Sequence, residues 1–322
     1  VVEVEKEVEK EVEKIVTEVI EVEKEVVKEV EKEVEVVVTA TPDPAAAELG
    51  GTLTYVINQE GSTLDPGQSK YAVEYMTIYQ IFDNLIWLDA GMNLQPGLAT
   101  SWTNNDDYTV FDFELRDDVT FHDGEPFNAD AVIAWFDRIL DPEFPIGALV
   151  RWTDAIDSYE KTGDYSVRFT LKDSNIMWLQ SMARSVSGIG SPKATAELGE
   201  EFGINPVGTG PFMFDEWLPG SHVKVVKNTN YNWASPMFIH DGPAYLDEIV
   251  FQYIQEDATR TAALESGDAD VISRVPYADA GRLEETDGLG IISNFIPGVP
   301  QHNAINVSIS PTNELAVRQA IN

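Results

Sequence analysis

The sequence contains no cysteine among its 322 residues. A chain without cysteine has no disulfide framework, no thiolate metal ligand and no thiol nucleophile. Histidine is also scarce, and its copies lie too far apart to suggest a clustered zinc site. They are His122, His222, His240 and His302. No apolar run approaches the roughly 18 residues that a membrane-spanning helix needs. The sequence therefore predicts no metal site, no cofactor and no membrane span.

Positively charged residues are also scarce. The chain carries 21 Lys and Arg against 56 Asp and Glu, which gives a net charge of −35. Beyond residue 35, lysine is limited to Lys70, Lys161, Lys172, Lys193, Lys224 and Lys227. Nucleic-acid binding needs a basic face, because its free energy comes from counterion release at the phosphates. The charge therefore excludes nucleic acid as a partner.

The remaining composition is that of a globular protein. Hydrophobic residues make up 43% and aromatic residues 10% of the chain. Its length suits about two domains with a sizeable core.

The first 38 residues differ from the rest, since "VVEVEKEVEKEVEKIVTEVIEVEKEVVKEVEKEVEVVV" is built almost entirely from Val, Glu and Lys. Apolar positions recur every three or four residues and Glu precedes Lys by three, which favours a helix. The β-branched valines and a competing two-residue alternation oppose it. We interpret this segment as a helical or disordered stalk, with a coiled-coil oligomer as the alternative. Residues 39–51, "TATPDPAAAELGG", read as a flexible linker.

The body that follows has the pattern of a mixed α/β chain. Strands are predicted at residues 52–57, 107–116, 223–227 and 249–254 from their alternation of apolar and polar side chains. A helix is predicted within residues 127–142, capped by Asn128 and stopped at Asp141-Pro142. A second helix, residues 258–266, is predicted to be capped by Asp257 and ended by Gly267.

No arrangement of catalytic residues stands out in the body. His122-Asp123 lies between a predicted strand and a predicted helix, which favours a turn histidine over half of a catalytic pair. "NNDDY" (104–108) lacks the ligand spacing of a calcium loop and is interpreted as a hairpin turn. A Gly-x-Ser-x-Gly elbow is missing. Carboxylates are abundant, so a pair for glycoside hydrolysis stays open.

The segment "NPVGTGPF" (205–212) poses a choice between a phosphate loop and a rigid turn. Pro206 and Pro211 remove two N–H donors beside Gly208 and Gly210, and the residues that follow suggest a strand instead of the helix a phosphate loop requires. We interpret the segment as a turn whose glycines allow close backbone approach or unusual backbone angles.

Five segments together carry a resemblance. They are the long run 82–142 with its "PGLATSW" and "FHDGEPFNADAV", then "NPVGTGPF", "EWLPG", "LDEIVFQYIQEDATRTAALESGDADV" (246–271) and "AVRQAIN" (316–322). In this order they resemble the family 5 extracytoplasmic solute-binding proteins, the dipeptide- and oligopeptide-binding receptors of peptide and nickel ABC importers.

The resemblance implies an α/β fold of the periplasmic-binding-protein type, with two lobes and an inserted sub-domain. Residues 52–82 and 204–305 would form lobe one, residues 83–203 the sub-domain, and residues 306–322 the start of lobe two. On this comparison the chain would be C-terminally truncated, with lobe one and its sub-domain present and almost all of lobe two missing.

The resemblance also implies a function that is not enzymatic. The protein would bind oligopeptides or dipeptides outside the cytoplasmic membrane and deliver them to an ABC permease and ATPase complex. A lipid anchor upstream of Val1 would be its only contact with the membrane, so a periplasmic or cell-surface location is expected. An oligosaccharide is the alternative ligand. A glycan hydrolase and a coiled-coil structural protein are alternatives from other classes.

Six positions match the parts of the family that meet the ligand. Lys70, Tyr71 and Ala72 follow "STLDPG", and Gln301, His302 and Asn303 belong to the strand that crosses to the second lobe. The resemblance implies that these six contact the ligand.

Overall fold

A computed structural model describes residues 49–183, 187–292 and 306–321. The strands in these ranges are β1 (Thr52–Ile57), β2 (Ile86–Leu88), β3 (Leu94–Pro96), β4 (Ala99–Asn104), β5 (Val110–Leu115), β6 (Ile156–Gly163), β7 (Ser166–Leu171), β8 (Phe212–Leu218), β9 (His222–Lys227), β10 (Glu248–Tyr253) and β11 (Val271–Ile272). The helices are α1 (Ala72–Ile81), α2 (Ala129–Ile139), α3 (Val150–Thr153), α4 (Trp178–Ala183), α5 (Pro192–Leu198), α6 (Asp257–Ser266), α7 (Tyr277–Glu284) and α8 (Leu315–Ile321), and a 3₁₀ helix covers Gly199–Ile204. The mixed α/β architecture is confirmed.

The larger sheet is mixed, with the strand order β11–β1–β10–β9–β8. Strand β1 runs parallel to β10 and β11, whereas β8, β9 and β10 are antiparallel neighbours. In β9, Val223 and Val225 are buried, and they lie opposite Phe251 and Ile249 of β10. The predicted strands at 52–57, 223–227 and 249–254 are thus confirmed to within one residue.

The second sheet is antiparallel, with the order β4–β5–β7–β6, and β2 and β3 form a separate hairpin. In β5, Phe111, Phe113 and Leu115 are buried on one face, as their alternation predicts. The strand is shorter than the predicted 107–116, because Tyr108 has a left-handed backbone (φ 52°) and Asn105 Oδ1 accepts from the N–H of Thr109. Residues 104–108 are therefore the predicted hairpin turn.

An aromatic core lies between this sheet and helices α2, α3 and α4. Phe136 of α2 packs on Phe169 of β7 with ring centroids 4.8 Å apart, and Trp178 of α4 packs on Phe111 at 4.9 Å. Tilted and edge-to-face pairs at these distances stabilise a core beyond the area that they bury. The same contiguous core reaches β9 and β10, so the two sheets share one apolar interior.

Two helix starts test the capping predictions. Asn128 caps α2 by accepting from the N–H of Ala131, which confirms that prediction. The prediction for α6 is wrong by one residue: Glu256 is the cap and accepts from the N–H of Thr259. Asp257 is instead paired with the buried guanidinium of Arg260. Gly267 ends α6 in the left-handed conformation (φ 81°), as predicted.

The segment "NPVGTGPF" is a turn packed against the end of α1. The N–H of Gly208 donates to His122 Nδ1 (3.4 Å) and the N–H of Gly210 donates to the carbonyl of Ile81 (2.8 Å). Neither glycine has a positive φ, so close approach, and not an unusual backbone angle, explains both residues. Since both N–H groups are already bonded, they are not available to a phosphate.

His122 holds this turn from the other side. Its Nε2–H donates to the carbonyl of Gly210 (3.0 Å), while its Nδ1 accepts from Gly208. This pattern requires a neutral imidazole, and burial lowers the pKa of His122 to about 4. The turn-histidine interpretation is consistent with these contacts.

We expect His122 to stabilise the fold only above mildly acidic pH. Its folded pKa lies below the unfolded value of about 6.5. The contribution is therefore complete above pH 6.5 and is lost as the pH falls toward about 4. The stability lost in His122→Gln should be larger at pH 7.5 than at pH 4.5, by urea unfolding. His240→Gln is the control, since His240 stacks on Tyr245 away from the turn. An equal loss at both pH values would contradict this role.

Several predictions fall beyond the described residues. The stalk (1–38) and all but the last residues of the linker lie outside them. In the described ranges, no helix is both long and apolar enough to cross a bilayer.

Candidate functional site

The parallel strands of the mixed sheet define one edge of the molecule. Strands β1, β10 and β11 run in the same direction, so their carboxyl ends meet at that edge. Ligands of open α/β sheets commonly bind just outside the carboxyl ends of such strands. The chain segments that follow these ends are residues 58–71, 254–256 and 273–276. The predicted contacts Lys70 and Tyr71 end the first of these segments.

A buried carboxylate, Glu74 of α1, organises the end of that segment. Its Oε1 accepts from the N–H and the hydroxyl of Ser62, each at 2.8 Å. Its Oε2 accepts from the hydroxyl of Ser69 (2.8 Å) and from the N–H groups of Lys70 (2.9 Å) and Tyr71 (3.1 Å). One side chain thus fixes both ends of the loop 62–71.

The protonation state of Glu74 follows from its burial and its hydrogen bonds. Burial alone would raise its pKa, but the hydrogen bonds from the loop outweigh burial and hold the pKa below its usual value. Glu74 is therefore a carboxylate at neutral pH, and an acceptor toward every donor around it.

A second buried carboxylate, Asp65, fixes the middle of the loop. Its Oδ1 accepts from the N–H of Gly67 (2.8 Å), and its Oδ2 lies 2.6 Å from Arg138 Nη2 of helix α2. The guanidinium of Arg138 also lies over the rings of Trp135, Phe144 and Phe202, at 4.5 to 5.2 Å from their centroids. This contact ties the loop to the α2 side of the molecule.

The segment before α3 supports the loop through its backbone. The N–H of Gly147 donates to Gly67 (2.7 Å), and that of Ala148 donates to Ser69 (2.8 Å). A side chain at Gly147 would overlap the backbone of Gln68 and Ser69, so only glycine allows this approach.

These contacts leave three neighbouring side chains on the surface. Lys70, Tyr71 and Ala72 are exposed, and Tyr71 keeps 52% of its accessible area. A rigid loop that presents a tyrosine and a lysine ammonium can bind both the apolar and the polar parts of a small ligand. The other three predicted contacts, Gln301, His302 and Asn303, lie outside the described residues, so whether they join this loop stays untested.

Two residues at this edge were missed by sequence reasoning. Arg260 is 1% exposed and donates to the carbonyls of Ile254, Gln255 and Arg274, so it joins the segments that follow β10 and β11. Tyr277 starts α7 after β11 and is 98% exposed. The signal for Tyr277 was an aromatic directly after Pro276, where a helix would begin; nothing in the sequence marks Arg260 as buried.

The described residues contain no group of three or more His, Asp or Glu side chains that could hold a metal ion.

Comparison with known proteins identifies this architecture. The sequence profile of the bacterial extracellular solute-binding proteins, family 5 (middle region), matches residues 93–322. The glutathione-binding protein GsiB of Escherichia coli (strain K12) is 31% identical over 267 residues, which are 81% of this chain and 49% of GsiB. The chain thus spans about half the length of the curated relatives it matches.

Solved structures agree with the sequence relatives. The periplasmic binding protein DppA from Helicobacter pylori, in complex with the peptide STSA, superposes with a TM-score of 0.66 at 28% identity, covering 74% of this chain and 50% of DppA. The binding protein MoaA from A. tumefaciens R10, in complex with mannopinic acid, superposes with a TM-score of 0.73 at 27% identity, covering 85% of this chain and 55% of MoaA. The α/β fold of the periplasmic-binding-protein type is therefore confirmed.

Proposed function

Because the chain belongs to the family 5 bacterial extracellular solute-binding proteins, we propose that it captures short peptides outside the cytoplasmic membrane and delivers them to the permease of an ABC importer. The observation that carries this proposal is the exposed Lys70–Ala72 segment, held at the carboxyl edge of the parallel strands by Glu74. The peptide bound to DppA supports the choice of ligand. The permease, its ATPase and a lipid anchor on this chain are parts of the same proposal.

Binding would use the peptide backbone more than its side chains. An extended peptide gains main-chain hydrogen bonds when its backbone groups pair with backbone groups of the protein, and these bonds do not depend on peptide sequence. The exposed tyrosine adds a ring contact at low entropic cost, since it has few rotatable bonds. Such an edge suits a receptor that accepts many peptides.

We also propose the division into units that the resemblance implies. All strands of the mixed sheet fall within residues 52–82 and 204–305, and all strands of the antiparallel sheet and the β2–β3 hairpin fall within residues 83–203. This segregation supports lobe one and an inserted sub-domain. Residues 306–322 would begin a second lobe, which closes over the edge when a ligand binds.

The alternative ligand, an oligosaccharide, has less support. Sugars are bound by exposed aromatic rings, and the described residues include all seven tryptophans of the chain. Five of them are buried, namely Trp87, Trp135, Trp152, Trp178 and Trp233. Trp102 and Trp217 are partly buried, and Trp217 donates its ring N–H to Glu60 (2.8 Å). Outside the five buried tryptophans, Trp102 and Trp217 are the two that remain as candidates for sugar stacking. The alternative function of a glycan hydrolase is also disfavoured, because the relatives are solute-binding proteins.

The proposal is tested by titrating the chain 1–322 with a library of tripeptides to pentapeptides. Binding is measured by saturation-transfer NMR, which detects weak complexes. We expect binding that Tyr71→Ala weakens by about fivefold, the usual effect of removing one interfacial tyrosine. Tyr165→Ala is the matched control, because Tyr165 is 38% exposed in the β6–β7 turn of the other sheet. Maltotriose serves as the competing ligand class. Equal effects of the two substitutions, or tighter binding of maltotriose, would refute the proposal.

A further inference from the structure

A cavity of about 780 Å³ opens beside the C-terminal half of α1. Pockets that bind small molecules commonly have volumes of roughly 300 to 1,000 Å³. Lys70, Tyr71 and Ala72 do not line this cavity. Tyr79 does line it, and about 10 Å of helix α1 separates Tyr79 from Ala72 at the other end of the helix. The cavity is thus a feature separate from the proposed peptide-binding edge.

Its lining is largely apolar and includes several aromatic rings. Tyr79 of α1, Trp87 of β2 and Phe238 of the long β9–β10 connection follow one another, with ring centroids 5.5 and 6.2 Å apart. Tyr231 and Tyr245 of the same connection also line the cavity. At the mouth, Phe238 keeps 47% and Ile239 keeps 65% of its accessible area. Apolar groups of this size are exposed here although the chain as a whole is strongly charged.

A buried carboxylate, Asp83, also lines the cavity. It is 4% exposed and accepts from the hydroxyl of Tyr231 (3.0 Å), the hydroxyl of Thr209 (3.1 Å) and the ring N–H of Trp233 (3.1 Å). All three donors are neutral. Across the described ranges, no Lys, Arg or His nitrogen lies within 4.0 Å of this carboxylate.

The electrostatic balance of the cavity is therefore negative. Burial raises the pKa of Asp83 to about 6, against the lowering effect of its three hydrogen bonds and of the more distant positive charge of Arg116, so it is still mostly ionised at pH 7.5. Asp89 lines the cavity as well, and among the residues that the structure describes no Lys or Arg does. A buried carboxylate without a directly bonded cation is costly, and a cation that enters its site is attracted strongly in the low local dielectric. Aromatic faces add a further attraction for cations.

We propose that this cavity binds a hydrophobic organic monocation, with its ammonium group near Asp83 and its apolar body against Trp87 and Phe238. The net charge of −35 of the whole chain would raise the local concentration of such a ligand. This second site does not depend on the peptide-binding proposal.

The test uses the chain 1–322 and three probes of one shape, phenethylammonium, 2-phenylethanol and phenylacetate, at pH 7.5 in calorimetric titrations. We expect saturable binding of the ammonium, about tenfold weaker binding of the alcohol, and no binding of the carboxylate. Asp83→Asn keeps the size of the side chain and should abolish the preference for the ammonium over the alcohol.

A second variant covers the case in which Asp83→Asn does not fold. Gly242 lines the cavity, and a Cβ there would meet only His240 Nδ1, at 4.0 Å, so Gly242→Leu can fill the mouth without strain. It should weaken phenethylammonium binding about fivefold or more. Gly281→Leu is the matched control, because Gly281 lies in α7 with no atom within 4 Å of its Cβ position.

Three results would overturn the proposal. The first is an ammonium that binds no tighter than the alcohol. The second is binding that Gly242→Leu leaves unchanged. The third is a preference for the ammonium over the alcohol that a folded Asp83→Asn variant retains.

Discussion

Alanine at Gly208 should lower the free energy of unfolding by about 3 kcal/mol, the upper part of the range for overpacked sites. The added Cβ would overlap the carbonyl oxygen of Ile81 and approach Phe82 Cδ1 within 2.6 Å. The carbonyl cannot move aside cheaply, because it accepts the N–H of Gly210 at 2.8 Å. The turn would have to separate from the end of α1, and with it the hydrogen bonds to His122. Urea unfolding monitored by tryptophan fluorescence measures the change.

Gly281→Ala is the matched control for this experiment. Gly281 lies inside α7, and its Cβ position has no atom within 4 Å. Alanine is the better helix former by about 1 kcal/mol, so this variant should be as stable as the parent or more so. A loss at Gly208 no larger than at Gly281 would show that the turn is not tightly packed. Inorganic phosphate should stabilise neither the parent nor Gly208→Ala; phosphate stabilisation that Gly208→Ala abolishes would favour a phosphate loop after all.

The fold could be predicted wherever the pattern of the chain is local. The alternation of Phe111, Phe113 and Leu115 predicts a strand and its buried face, and Asn128 predicts the start of α2 correctly. Where two acidic residues are adjacent, the pattern cannot choose between them: Glu256 became the cap of α6, and Asp257 the partner of Arg260. The choice depends on where Arg260 is buried, which is tertiary information.

The site could be predicted only in part, for the same reason. The position of Lys70, Tyr71 and Ala72 came from family resemblance, but the residue that fixes them, Glu74, gave no signal in the sequence. Its five hydrogen bonds exist only because the loop folds back over α1. The cavity walls likewise come mainly from residues 79–92 and 231–245, which are distant in the chain and meet only in the folded structure.

Alanine at Asp65 should lower the free energy of unfolding by about 3 kcal/mol, because removing one partner of a buried ion pair leaves the other charge uncompensated. The Asp65 side chain is 1% exposed and that of Arg138 is 18% exposed. The N–H of Gly67 would also lose its acceptor. Asp112→Ala is the matched control: Asp112 makes a similar two-bond contact with Arg168, but these side chains are 37% and 42% exposed. Exposed pairs contribute under about 1 kcal/mol.

The double variant Asp65→Ala/Arg138→Met separates the loss of the ion pair from the cost of an unpaired charge. Methionine fills part of the space over Trp135 and Phe144 without a charge, so the double variant should recover part of the stability that Asp65→Ala loses. Equilibrium unfolding of the parent, the two single variants and the double variant completes the double-mutant cycle. The ion pair of Asp65 and Arg138 also supports the loop that presents Lys70 and Tyr71. The single variants Asp65→Ala and Arg138→Met should therefore each weaken peptide binding, although neither residue is exposed at the edge. If Asp65→Ala costs no more stability than Asp112→Ala and leaves peptide affinity unchanged, the loop is held by Glu74 and the Gly147 backbone alone.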